Sequence, residues 1–470
     1  MTIKFDFIDR EKELNHLEDE YGKNDFRFIS IIGRRRVGKT RLIGEFLRSK
    51  KHFTYFMVPE LNDRDVRLGL AKKLHDDIGA SFIGEPAWDD IFKQVFEQSM
   101  KKRIVLVLDE FQRFSLINTL VPSLLQKYID SGSKNSKLFF IVSGSSIGMM
   151  HRLFDHASPL FGRRTSQINL QPFTFGDMRK WFPDLGIEHI IELYAVYGGT
   201  PKYLEDIEYP GLFRNIEKIV EKTSILYTEP EILIKTEFRQ SNTYFNILKY
   251  IAQGRTRSSE IADCSNIKTT SIDYFLNKLM KDVDIVKKEV PITVQHPERS
   301  KKAVYSIKDN FFLFWFRFIY PHMSDIEIGH TEHVLDKMKE NLNTYIGKAF
   351  KEIIKDFMVH WDQPEPFPFP FEKIGRWWGP YREDGVKKIA EIDLVALNEK
   401  TKQVLFIECK WKHVTQKKAE KILEELEEKS KFVEWNNNKR REYFGIAAKK
   451  IKGKEELKKQ GFVVLDQDDL

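Results

Sequence analysis

Eight residues, GRRRVGKT from Gly33 to Thr40, restrict what this chain can fold into more than any other stretch. An apolar run, FRFISII (26–32), leads into them, and KTRLIGEFL follows with apolar residues at helical spacing. The spacing matches G-x-x-x-x-G-K-[ST] in the strand–loop–helix setting that the motif requires. Gly33 and Gly38 let the intervening backbone of Arg34, Arg35, Arg36 and Val37 close around a phosphate chain, whose charge meets the amides at the helix start. Lys39 reaches the outer phosphates, and the Thr40 hydroxyl is a ligand for Mg²⁺.

A second motif, RIVLVLDEFQRF (103–114), follows at a workable distance. Its apolar run forms a strand buried on both faces, as in a parallel sheet, so the expected fold class is α/β. The strand ends in Asp109, placed to hold Mg²⁺ through water, and Glu110, placed to polarise an attacking water. A third strand, LFFIVSGSSIGMM (138–150), ends in hydroxyl residues. Either Ser145 or Ser146 is positioned to sense a terminal phosphate, with a plain turn as the alternative.

At 470 residues the chain exceeds one hydrophobic core. Its two cysteines, Cys264 and Cys409, form no CxxC pair, which disfavours a disulfide framework or a zinc site. The net charge of +7 suits a nucleic-acid partner and equally an ordinary lysine-rich surface. The most apolar stretch, FFLFWFRFIY (311–320), is too short to span a membrane and is interrupted by Arg317. The N-terminus carries charges where a signal peptide needs an apolar stretch, so a cytoplasmic location without a membrane partner is expected.

With these motifs the chain resembles the archaeal ATPase family of the AAA+/STAND class of P-loop proteins. The resemblance also rests on FIDREKEL (7–14), SPLFGRRTSQINLQPF (158–173) and VYGGTPKYLE (196–205). It implies ATP and Mg²⁺ as ligands, with Arg10 as a neighbour of the adenine. It further implies Arg163 or Arg164 as a finger completing the site, in the same chain or across a homo-oligomer interface, and Pro201 as the part of a helical lid nearest the nucleotide.

From residue 243 the pattern shortens. TYFNILKYIAQG, SSEIADCSN and TTSIDYFLNKLMKDV read as three helices, followed by a hairpin with a basic tip at Arg299, Lys301 and Lys302. This resembles a winged helix-turn-helix, whose third helix enters the major groove in DNA-binding examples, while other winged helices serve as protein-docking or autoinhibitory modules. LNTYIGKAFKEIIKDFMVHW (342–361) is then expected as a helix with Glu352 near its middle.

The C-terminal stretch EIDLVALNEKTKQVLFIECKW reads as two strands carrying charges where a core strand should have none. Residues two apart share a face, which puts Glu391 with Asp393 on one strand and Glu408 with Lys410 on its partner. With Glu352 approaching from the helix, these carboxylates suit a hard cation with oxygen ligands. The structural alternative is a salt bridge from Lys410 to Glu408 or Asp393. The pattern resembles the restriction-endonuclease-like superfamily of PD-(D/E)XK nucleases, with Ile392 in place of the motif's proline. That resemblance implies Asp393, Glu408 and the accessory Glu352 as ligands of Mg²⁺ or Mn²⁺, and Lys410 as the catalytic ammonium.

The expected organisation is a P-loop ATPase domain over 1–170, a helical lid over 171–236 and a winged helix over 237–310, then a connector over 311–341 and an α/β/α nuclease-like domain over 342–470. The function these imply is ATP binding and hydrolysis coupled to metal-dependent cleavage of DNA. The alternative is a STAND-like switch whose winged helix and C-terminal domain bind partners or DNA without cutting.

Overall fold

The computed structural model describes residues 9–208, 211–360, 366–383 and 385–470. Phe7 and Ile8 of the 7–14 segment, and Gln363 to Glu365 of the proline-rich run, lie outside the described residues. The chain forms two compact units. The first comprises Met1–Pro172, Thr200–Lys202 and Asn277–Asp284, and the second Phe173–Gly199, Tyr203–Leu276 and Ile285–Leu470.

The first unit is built on five strands, β1 (Arg27–Ile32), β2 (Phe53–Met57), β3 (Ile104–Asp109), β4 (Leu138–Gly144) and β5 (Ser166–Asn169). They lie in the order β2-β3-β4-β1-β5, and every pair is parallel. The expected α/β class holds for this unit. All residues of β3 and β4 are buried, because helices cover both faces. Phe28, Leu106, Leu108, Phe140 and Val142 pack into one core, whereas Ile29, Val105, Val107, Phe139 and Ile141 pack into the other. The two-residue alternation along each strand produces this division.

The second unit contains the helices Ser241–Ala252 and Ser258–Cys264, most of the helix Thr269–Lys281, and an antiparallel ribbon of β6 (Val286–Glu289) with β7 (Val304–Ile307). The aromatic run becomes core. Asp309 caps the short helix Asn310–Phe314 by accepting from the Phe312 amide at 2.9 Å, and Phe311, Phe312, Phe314, Trp315 and Phe316 are all buried. The helix expected from residue 342 starts at Thr331 and runs to His360. Val334, Leu335 and Met338 carry its buried stripe back through residues expected to form a connector, and no glycine or proline interrupts them.

A second sheet closes this unit, with β8 (Lys373–Glu383), β9 (Val386–Asn398), β10 (Gln403–Val414), β11 (Arg441–Ile451) and β12 (Val463–Asp466) in sequential order. The β8–β9 and β9–β10 pairs are antiparallel, and β10–β11 and β11–β12 are parallel. The helix Gln416–Ser430 makes the crossover between β10 and β11, as a parallel pair requires. No described helix is long and apolar enough to cross a membrane.

Candidate functional site

The loop Gly33–Gly38 joins β1 to the helix Lys39–Leu47 at the carboxyl end of the parallel sheet, where ligands bind in open α/β folds. A Cβ on Gly33 would stand 2.5 Å from the Leu170 carbonyl oxygen, so the loop passes this point only as glycine. Gly38 has a φ of 95° and Arg36 a φ of 69°, both left-handed, which curl the loop back towards the helix start. Lys39 is buried and donates to the carbonyls of Gly33 at 2.7 Å and Arg34 at 2.8 Å, spanning the cradle it closes. Arg35 and Val37 complete the loop, and Val37 is buried beneath it.

Asp109 is the hub of this end of the sheet. One carboxylate oxygen accepts from the Thr40 hydroxyl at 3.1 Å and the Tyr55 hydroxyl at 2.6 Å. The other accepts from the Glu110 amide at 2.9 Å and from the Ser143 hydroxyl. Burial, then the Asp109 carboxylate, push the Tyr55 hydroxyl well above its ordinary range, so it remains a donor. Glu110 takes a φ of 55°, an unusual conformation for a side chain that large. It turns the carboxylate towards Ser145, which donates to it at 2.8 Å, and Gln112, which donates at 2.5 Å. The candidate base and the candidate phosphate sensor are thus in direct contact. Thr40 and Asp109 together present hard oxygen donors of the kind Mg²⁺ takes.

Two expected neighbours come from far along the chain. Arg10 donates to the carbonyls of Val37 at 3.4 Å and Gln171 at 2.7 Å, so it braces the loop's outer side. The Pro201 ring lies 4.0 Å from the point a Gly38 Cβ would occupy, which sets Pro201 beside the cradle.

Arg163 and Arg164 are engaged elsewhere. Arg163 makes a two-pronged pair with Asp130 at 2.8 and 2.7 Å. Arg164 donates to the Ser30 hydroxyl at 3.0 Å and to Gln167, and lies 4.1 Å over the Phe154 ring. Removing the solvent-screened Arg163–Asp130 ion pair is expected to cost less than about 1 kcal/mol. Arg164→Ala is expected to cost about 1–3 kcal/mol through lost packing and hydrogen bonding. Urea unfolding of the two variants checks this, and equal costs would contradict it.

Tyr55, Gln112 and Ser143 belong to this network and carry no signal in the sequence. Each sits in an apolar or mixed strand-end context that reads as packing, and only the neighbouring strand shows what it touches.

In the second unit Asp393 and Glu408 meet across the β9–β10 pair. The ladder ends at Leu394 with Ile407, and the Cys409 amide then donates 3.0 Å to an Asp393 oxygen. The other Asp393 oxygen receives the Lys351 ammonium. Glu408 accepts from Lys410 at 2.7 Å and Lys429 at 3.4 Å on one oxygen, while its second oxygen is buried without a hydrogen-bond partner. The salt bridge from Lys410 to Glu408 is therefore present. Burial opposes the Lys410 charge, but Glu408 and Asp393 outweigh it and hold the ammonium above its ordinary range.

Glu352 does not join them. Its carboxylate pairs with Lys287 of β6 at 2.7 Å, and the expectation that it ligates a cation with Asp393 and Glu408 is corrected accordingly. Among the described residues no group of three or more His, Cys, Asp or Glu side chains is arranged to hold a metal ion. Successive helical residues differ by about 100°. The turn that aims Lys351 at Asp393 therefore aims Glu352 at the ribbon. Glu391 likewise faces outward, beside Arg376 at 3.6 Å.

Comparison with known proteins identifies related chains. Residues 7–207 match the model of an ATPase domain predominantly from Archaea, and residues 315–422 match a group described as archaeal and bacterial proteins of unknown function. An uncharacterised protein of Methanocaldococcus jannaschii is 34% identical over 450 residues, covering 96% of this chain and 97% of that one. The chain belongs to this archaeal P-loop ATPase family. A 45-residue stretch of the ATPase is also 49% identical to an uncharacterised ATP-binding protein of the same organism, covering 10% of this chain and 76% of that one. Among solved structures, a Walker-type ATPase of Pyrococcus abyssi superposes with a TM-score of 0.53 at 21% identity, over 67% of this chain and 97% of that chain. That likeness is one of fold.

Proposed function

We propose that the ATPase binds ATP with Mg²⁺ at Gly33–Thr40 and hydrolyses it, and that nucleotide occupancy gates action on DNA by the C-terminal module. The observation that carries the first part is the convergence of Lys39, Thr40, Asp109, Glu110 and Ser145 at the ends of β1, β3 and β4. Bound Mg²⁺ would supply charge neutralisation at the phosphates, with Thr40 and Asp109 as its protein-side donors. Lys39 leaves the loop carbonyls for phosphate oxygens. Ser145 exchanges Glu110 for the terminal phosphate, and Glu110, so released, orients the attacking water. Arg10 and Pro201 border the nucleotide in this reading. Arg163 or Arg164 acts as a finger only by exchanging its present partners, in the same chain or in a homo-oligomer.

For the C-terminal module, cleavage of DNA assisted by Mg²⁺ or Mn²⁺ is supported by the adjacent Asp393 and Glu408, the open buried oxygen of Glu408, and Lys410 beside it. Two carboxylates suffice for a cation that keeps several waters. Here Lys410 stabilises the charge that develops on the phosphodiester. The second reading, a switch that binds DNA or a partner without cutting, is favoured by the ammonium already seated on each carboxylate. Asp393→Ala is expected to lower metal-dependent cleavage of labelled duplex or branched DNA by about 10²-fold or more. Equal cleavage by wild type and variant would remove the nuclease reading and leave the switch.

A further inference from the structure

The cluster just past the end of the β9–β10 ladder holds more positive than negative charge. Three ammonium groups, Lys351, Lys410 and Lys429, contact two carboxylates, Asp393 and Glu408. Lys410 and Lys429 share a single Glu408 oxygen and leave the other buried and without a partner. An unpaired buried carboxylate oxygen is costly, and a cation is one partner that would satisfy it. What stands on Asp393 instead is Lys351, reaching from the long helix Thr331–His360.

We propose that Lys351 is an internal counterion that occupies the cation position at Asp393 in the resting chain and couples cation entry to polyanion binding. This rests on the reading of Asp393 and Glu408 as a cation site. A divalent cation and the Lys351 ammonium compete for the same carboxylate oxygen, so entry of one requires departure of the other. The displaced ammonium, with Lys410 and Lys429 beside it, then lacks a counter-charge. A phosphodiester backbone supplies one, because its oxygens accept from ammonium groups at any sequence. Cation and DNA should accordingly bind better together than separately, and each should favour the other by the same factor.

The test is calorimetric titration of Mn²⁺ into the nucleotide-free full chain, with and without a short DNA duplex. For wild type, the duplex is expected to tighten Mn²⁺ binding by about tenfold, equivalent to about 1.4 kcal/mol. Lys351→Gln should bind Mn²⁺ about tenfold more tightly than wild type without DNA, and the duplex should add less than about twofold. Lys351→Arg, which keeps the charge, should behave as wild type and shows whether loss of packing alone explains the change. Identical Mn²⁺ affinity for wild type and Lys351→Gln without DNA would overturn the counterion role while leaving the cation site standing. If Asp393→Asn binds Mn²⁺ with DNA as wild type does, the site reading itself fails, and the inference falls with it.

Discussion

Lys39→Ala is expected to lose ATP turnover by about 10²-fold or more, whereas Glu110→Gln is expected to keep ATP bound and slow hydrolysis by a similar factor. The two residues have different partners. Lys39 bridges the carbonyls of Gly33 and Arg34, so its ammonium is held at the mouth of the cradle by atoms that phosphate oxygens can replace. In the proposed site, removing it deletes a charge that would contact the nucleotide both before and during the reaction, and affinity and rate should fall together. The Glu110 carboxylate accepts from Ser145 and Gln112. Changing it to the amide keeps its shape and the curl of the chain, but removes the base. Nucleotide binding measured by fluorescence and phosphate release measured at saturation separate the two effects. Unchanged turnover in both variants would remove the assignment of this site.

Gly199→Ala is expected to destabilise the second unit by about 3 kcal/mol or more, and in the extreme to prevent folding. The added Cβ would fall 1.8 Å from the Phe173 carbonyl oxygen and 2.6 Å from its carbon. Both are backbone atoms, so no side-chain rotation relieves the overlap. The two segments also cannot part freely, because the Phe173 amide donates to the Gly199 carbonyl at 2.7 Å. Gly254→Ala is the comparison. It has a φ of 96° but nothing within 4 Å of its Cβ, so it should cost only about 1–2 kcal/mol. Urea unfolding of the two variants measures the difference, and equal costs would mean that the close approach is not what requires glycine at position 199. Because Gly199 immediately precedes Thr200 and Pro201, a folded variant should also show weakened nucleotide binding.

Much of the proposed nucleotide site was legible along the chain because its chemistry is local. A loop that wraps phosphate needs Gly33, Gly38, Lys39 and Thr40 at consecutive fixed spacings, and a buried strand ending in Asp109 and Glu110 announces itself by the contrast between apolar and charged residues. Family likeness added Arg10 and Pro201 as expected neighbours of the nucleotide; in the structure both lie against the loop.

What the sequence determined by itself was therefore the class of the first unit, the phosphate loop, and the pairing of charged strands that brings Asp393 to Glu408. Each follows from periodicity or spacing within a few residues. Only the tertiary structure decided which groups meet across elements. It put Tyr55 and Ser143 on Asp109 and set Ser145 on Glu110. It engaged Arg163 and Arg164 with Asp130 and Ser30, and delivered Lys351 rather than Glu352 to Asp393. The last of these turns on how one long helix is rotated about its axis. That rotation is set by the packing of Tyr345, Phe350 and Ile354 in the core, and a shift of one residue moves a side chain about 100° and exchanges a carboxylate for an ammonium.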